Sequence, residues 1–318
     1  MILSRRALVG EGWTDADIRG QVRAGELVRV AAGVYAPKAD LDGWPEVAYR
    51  VRVVAAAQRF RAVVSHASAA AVHGLPLGGA DLSAIHLIRP GKGGFRTDGD
   101  RTRHAGIIDP LWVTTVGGVR VTTVARTVVD LARSQPVKTA VAAMDNVLFR
   151  RLCAPEDIRH AMTSVYRHRG APRARFAAEL ADGRAESPTE TTVRLAARGG
   201  SLPSMELQFD VYDEVGRFVG RADGGYPELG VMWEYDGRGK YGELLQLGRT
   251  SSDALMAEKR RERGFVELGW TVIRIDNTDL TDLSAVLDRL SRAVHAASRP
   301  DWNPPRGTFV LRPPLTIW

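Results

Sequence analysis

Hydrophobic positions change their period several times along the chain, and each change predicts an element. Near the start, Ser4-Arg5-Arg6-Ala7-Leu8-Val9 predicts a short helix. Ile18 and Val22 stand four apart in DADIRGQVRA, with Thr14 placed to cap the start and Gly25 the end, which predicts a second helix. The alternating runs Leu27–Val30 and Gly33–Ala36 predict a hairpin turning at Ala31-Ala32. A strand and turn follow at IHLIRPG (85–91), and VRVTTVARTVVDLA (119–132) reads as a strand running into a helix. Residues 137–180 read as helical, with Val141, Met144, Leu148 and Leu152 on the apolar face. Ser187-Pro188, with Glu190 at the third helical position, forms a capping box and opens another helix. Strands are then expected at 206–212, 218–223 and 231–236, a helix at 252–268, a strand at 270–276 and a helix at 283–297. The stretch from Arg299 is rich in proline, with three apolar clusters.

This order predicts an α/β chain, an α+β multidomain protein in four segments. They are a helix–helix–hairpin module at 1–50, a mixed domain with a helical connector at 51–183, an α-βββ-α-β domain at 184–298, and a tail at 299–318. At 318 residues, 44% hydrophobic and 25% charged, the composition is that of a globular protein. The absence of an apolar run near ~20 residues excludes a membrane helix, and MILSRRALVGEG lacks the core of a signal peptide. The single Cys153 excludes an internal disulfide. A cytoplasmic protein with no membrane partner is expected.

Charge changes that picture by its distribution. Residues 51–185 carry twenty basic against ten acidic side chains, whereas residues 186–318 carry 17 against 20. A basic middle beside an acidic end suits a polyanion on one part and metal chemistry on the other. Helix, turn, helix and hairpin is the winged helix-turn-helix order. It would place Arg19, Gln21 and Arg23 toward bases or phosphates of double-stranded DNA and Arg29 on the wing. The zero net charge of residues 1–50 keeps open a packing module that never touches DNA. Arg89, Lys92, Arg96, Arg101, Arg103 and His104 lie in a glycine-rich region that either follows a phosphate backbone or is a solvated loop. His66 and His73 are seven apart, too far for the helical metal pair at i, i+4, so both are expected in packing or capping. Arg126 and Asp130 are expected to form a local ion pair.

The stretch GRADGGYPELGVMWEYDGRGK (220–240) carries the candidate chemistry. Side chains alternate along a strand, so Glu234 and Asp236 are expected on one side, within reach of Asp223 at the end of the neighbouring strand. Three carboxylates at one spot repel, at ~4 kcal/mol for a pair 4 Å apart near an effective dielectric of 20. A hard divalent cation such as magnesium, manganese or calcium relieves this. The alternative is three solvated acids flanking a hairpin.

Two resemblances follow from these motifs. LVRVAAGVYAP, SHASAAAVHGLP, IHLIRPG and VRVTTVARTVVDLA occur in the order seen in AbiEi-family antitoxins of type IV toxin–antitoxin pairs, and residues 1–150 resemble that family. The resemblance implies DNA binding by a winged helix and an antitoxin role toward a nucleotidyltransferase toxin. ESPTE, RADGGYPELGVMWEYDG and EKRRERGFVELGWTVIRI resemble the very-short-patch-repair branch of the PD-(D/E)XK, restriction-endonuclease-like fold over residues 184–297. That resemblance implies a Mg- or Mn-dependent endonuclease. Asp223 and Glu234 would hold the metal, together with Glu186 or Glu190. The superfamily's Glu-x-Lys is Glu234-Tyr235-Asp236 here, so a catalytic lysine would have to come from Lys240 or Lys259. Where the repair branch has histidine, this chain has Lys240-Tyr241. A regulator or antitoxin that represses its own operon without cleaving is therefore the alternative.

Overall fold

The structure is a computed structural model. It describes residues 3–31, 33–41, 45–60, 62–89, 95–99, 101–105, 108–236 and 260–318. The fold is mixed α/β with three sheets. It divides into two compact units. Residues 1–181 and 316–318 form the first, and residues 182–315 the second.

The first unit begins with β1 (Leu3–Ser4), α1 (Arg5–Gly10), α2 (Asp15–Ala24), β2 (Leu27–Ala31) and β3 (Val34–Pro37), the three strands forming one sheet in the order β1-β3-β2. Local chemistry sets these boundaries. Ser4 Oγ accepts the Ala7 N–H, and Thr14 Oγ1 accepts the Asp17 N–H while Asp17 returns the bond to the Thr14 N–H. Gly25 ends α2 in the left-handed conformation, at φ 77°. Leu8, Ile18, Leu27 and Ala36 are buried.

The rest of this unit wraps helices around a second sheet. The elements are α3 (Pro45–Phe60), β4 (Val63–Val64), α4 (His66–His73), β5 (Ile85–Arg89), β6 (Phe95–Asp98), β7 (Arg101–Ala105), β8 (Val113–Val116) and β9 (Val119–Thr122). Four helices follow: α5 (Val124–Ser134), α6 (Val137–Phe149), α7 (Pro155–Ser164) and α8 (Ala171–Leu180). The strand order is β6-β7-β5-β4-β9-β8, with β5–β7 and β4–β9 parallel. Helix α5 is buried all round over more than one turn, from Thr127 to Ala132. Ile317 is fully buried in this unit, and its carbonyl accepts a hydrogen bond from Arg159.

The second unit runs α9 (Pro188–Arg198), β10 (Glu206–Tyr212), β11 (Phe218–Tyr226), β12 (Val231–Tyr235), a helical stretch at 260–267, β13 (Thr271–Ile275), α10 (Leu283–Ala297) and β14 (Thr308–Val310). The sheet order is β13-β12-β11-β10-β14. Strands β10, β11 and β12 form an antiparallel meander, and β13 joins β12 in parallel. A parallel neighbour needs a crossover, and residues 260–267 lie in it. Each face of the sheet has its own core. Val193 and Ala197 of α9 and Val286 and Leu290 of α10 pack with Leu207, Trp233, Ile273 and Ile275. Phe265 and Leu268 pack with Phe209, Val211, Ala222 and Met232. The Pro227–Leu229 turn between β11 and β12 closes on Gly230 at φ 60°. Among the described residues, no helix is long and apolar enough to cross a membrane.

Candidate functional site

Glu190 is a buried acid of the second unit with several hydrogen-bond partners. Ser187 caps α9: its Oγ accepts the Glu190 N–H at 3.2 Å and donates to Glu190 Oε1 at 2.8 Å. Oε2 accepts the Glu186 N–H at 2.9 Å and Gln208 Nε2 at 3.0 Å. The residue is 5% exposed. Burial is the main force on its carboxyl and pushes it up to about 7; the Glu186 N–H bond opposes, and the negative charge of Asp223 adds to the rise. Near neutral pH this carboxyl is divided between its acid and its anion.

Asp223 reaches this neighbourhood because two strands break step together. Leu207 packs on the α9 side, yet Phe209, two residues on, packs on the other. A regular strand would put both on one face. Gln208 between them absorbs the change, with φ at 52° and its side chain buried against Glu190. Strand β11 changes face across the same level, with Ala222 on one side and Tyr226 on the other. The flanking pairs Leu207↔Gly224 and Phe209↔Ala222 set Gln208 opposite Asp223. Asp223 Oδ2 accepts the Tyr235 N–H at 2.7 Å, bridging β11 to β12. Gly224 is required by close approach, since a Cβ there would fall 2.8 Å from Trp233 Nε1.

The other expected acids have surroundings of their own. Glu234 is 2% exposed and bound by Arg261 at 2.7 Å and Arg274 at 3.1 Å. It has the parity of Met232, which packs with Phe265, and not that of Trp233. Alternation led to the expectation of Glu234 on one side with Asp223; its carboxylate is paired with Arg261 and Arg274. Glu186 is exposed, with Oε1 3.6 Å from Arg312. Asp236 is exposed, and its N–H donates to the Ile275 carbonyl. Lys240 and Lys259 lie outside the described residues. Among the described residues, no three of the expected acids bring their ligand atoms within 4.8 Å of one another. The three potential ligands that do converge are His66, His86 and His104, whose ligand atoms lie within 4.8 Å of one another.

On the N-terminal module, Arg19 and Arg23 of α2 and Arg29 of β2 are exposed, and Gln21 is half-buried. Arg5 pairs with Asp15 at 2.6 Å, joining α1 to α2. Arg101 lies over the Phe60 ring at 4.8 Å from its centroid. Lys92 lies outside the described residues, as do the side chains of Arg96 and Arg103 in β6 and β7.

Gln208, Arg261 and Arg274 were not singled out by sequence reasoning. Gln208 left one signal, a lone polar residue between Leu207 and Phe209. The arginines left none, because their role depends on where Glu234 turns.

No protein-family model matches the chain. Two relatives from Mycobacterium tuberculosis are similar to it over most of its length. They are Uncharacterized protein MT2308 of strain CDC 1551 / Oshkosh and Uncharacterized protein Rv2248 of strain ATCC 25618 / H37Rv. Each is 31% identical over 255 residues, covering 80% of this chain and 87% of the relative. The chain therefore belongs to the same family as MT2308 and Rv2248.

Proposed function

We propose that this is a cytoplasmic, DNA-binding protein of toxin–antitoxin or defence type, whose second unit is an endonuclease-like module for phosphodiester hydrolysis. The observation that carries the reading is the buried Glu190 carboxyl at the start of α9, raised to about 7 mainly by burial and in part by the negative charge of Asp223. Two acids held together against their repulsion are what a hard divalent ion relieves. Glu190 and Asp223 would hold magnesium or manganese. When bound, the ion would polarise a phosphoryl oxygen and acidify a water. Gln208 and Ser187 orient Glu190, and the Tyr235 N–H orients Asp223. The antiparallel meander followed by a parallel strand agrees with the α-βββ-α-β order of restriction-endonuclease-like folds. In the first unit, the exposed Arg19, Arg23 and Arg29 support a winged-helix reading with double-stranded DNA as partner.

A second reading is favoured by Glu234. Its ion pairs with Arg261 and Arg274 take away the third carboxylate that a cutting centre would use. On that reading the protein is a non-catalytic regulator or antitoxin that represses its operon and neutralises a nucleotidyltransferase toxin. The experiment is cleavage of supercoiled plasmid and linear DNA with magnesium or manganese, using the wild type and Asp223→Ala. Cleavage lost in Asp223→Ala, with DNA affinity unchanged, supports the endonuclease reading. No cleavage by the wild type on any substrate selects the regulator. Equal cleavage by both proteins overturns the site.

A further inference from the structure

We propose that His66, His86 and His104 in the first unit form a binding site for one divalent transition-metal ion of the zinc and cobalt class. The three residues are 20 and 18 positions apart in the chain, and the fold brings them together. Strands β5 and β7 are parallel neighbours, with His86 opposite Thr102 and Ile88 opposite His104. Both histidines therefore lie on one face of the sheet, two residues out of register. Helix α4 delivers His66 to the same place. Its start is fastened to β5, because the Ser65 N–H donates to the His86 carbonyl at 3.1 Å and the His86 N–H donates to Ser68 Oγ at 2.8 Å.

The distances suit an imidazole site. His86 Nδ1 and His104 Nε2 are 3.1 Å apart. Two imidazole nitrogens on one tetrahedral zinc ion, each at 2.0–2.1 Å, are separated by about 3.3 Å. The His66 ring stacks on His104, with centroids 4.0 Å apart and planes 8° from parallel. Its remaining adjustment is a rotation about χ2, a broad torsion for histidine. Ser65 Oγ lies 3.0 Å from His66 Nδ1, so Nε2 is the nitrogen that His66 would offer. A hydrogen bond to the second ring nitrogen is the usual device that orients a metal-binding histidine. His66 also holds φ at 52°, a strained value for a residue with a side chain.

Chemistry then selects the ion. Burial holds His66 down to about 3 and His86 down to about 4, and lowers His104 as well, so all three rings keep their lone pairs at pH 7. Asp130 is fully buried nearby and carries Arg126 at 2.8 Å and Arg133 at 2.7 Å. One carboxylate with two guanidinium groups gives a local field that does not favour a dication. The affinity must come from imidazole donors, which suit zinc, cobalt, nickel and copper and not magnesium or calcium. This site is separate from the carboxylates of the second unit and does not depend on the reading of them.

The test uses the full chain stripped with a chelator and titrated with Co2+, followed by its visible d–d bands, and with Zn2+ against a chromophoric competitor. One ion per chain is expected. His86→Asn and His104→Asn, each checked for unchanged far-ultraviolet circular dichroism, should weaken binding ~100-fold or more. His73→Asn should leave binding unchanged, since His73 Nε2 is engaged by the Thr122 carbonyl at 2.7 Å. X-ray absorption of the zinc-loaded wild type should show an imidazole shell of three, a readout that stands even if a variant fails to fold. No saturable equivalent, equal affinity in the wild type and both variants, or a shell without histidine would each overturn the site.

Discussion

Replacing Glu190 by glutamine should remove a pH dependence from the stability of the protein. The Glu190 carboxyl is held up to about 7 by burial, against an ordinary value of 4.5. Because its folded value is raised, its contribution to stability is fully present below pH 4.5 and is lost as pH climbs through 7. At 1.36 kcal/mol per pH unit, that displacement amounts to about 3 kcal/mol between pH 4 and pH 8. Glutamine imitates the neutral acid at this position. Its carbonyl can take the Glu186 N–H and Gln208 Nε2 bonds now made to Oε2, and its amide can donate to Ser187 Oγ. The two proteins should therefore be nearly equal at pH 4.5, and the variant about 3 kcal/mol more stable at pH 8. Urea denaturation at half-unit intervals from pH 4.5 to pH 8 gives the difference directly, with other titrating groups cancelling between the two proteins. Magnesium at pH 7.5 should raise the midpoint of the wild type and leave that of the variant in place. Parallel pH profiles would refute the reasoning, because they would mean that Glu190 is not held neutral by its surroundings.

Three further outcomes are expected. Arg19→Ala with Arg23→Ala should weaken binding to the protein's own promoter DNA in a gel-shift or anisotropy assay. The slope of log affinity against log salt should shrink by ~0.9 for each phosphate contact removed, and an unchanged slope would reject α2 as the recognition helix. Asp130→Asn should destabilise the first unit by about 3 kcal/mol, read as a lowered thermal midpoint, because it leaves Arg126 and Arg133 without their buried carboxylate. Gly170→Ala should destabilise by more than ~1 kcal/mol in the same assay: Gly170 has φ at 82°, and a Cβ there would meet the Arg133 carbonyl at 2.3 Å.

Elements whose causes are local were readable from the chain. Thr14 caps its helix as expected, and Ser187 does so with Glu190 at the third helical position, because a capping bond closes within one turn. The strand at 206–212 and the helix at 283–297 fall where their periods place them. The same spacing identified Glu190 as a cap but could not show that it is buried, which depends on Gln208 from another element.

Which way the carboxylates point was decided by tertiary structure. Alternation along 231–236 is a sound local rule, but its meaning depends on the neighbouring strand keeping step, and β10 and β11 change faces at Gln208 and Asp223. Glu234 could then be claimed by Arg261 and Arg274, 27 and 40 positions further along the chain. The histidines show the same limit from the other direction. Helical spacing ruled out His66 with His73, and no spacing could bring forward His66 with His86 and His104, because parallel pairing of β5 with β7 and the docking of α4 assemble them. Caps, periods and element order follow from local sequence, because they are set within a turn or a strand. The grouping of charged and ligand side chains was set by pairings between distant segments, whose register the local pattern does not contain.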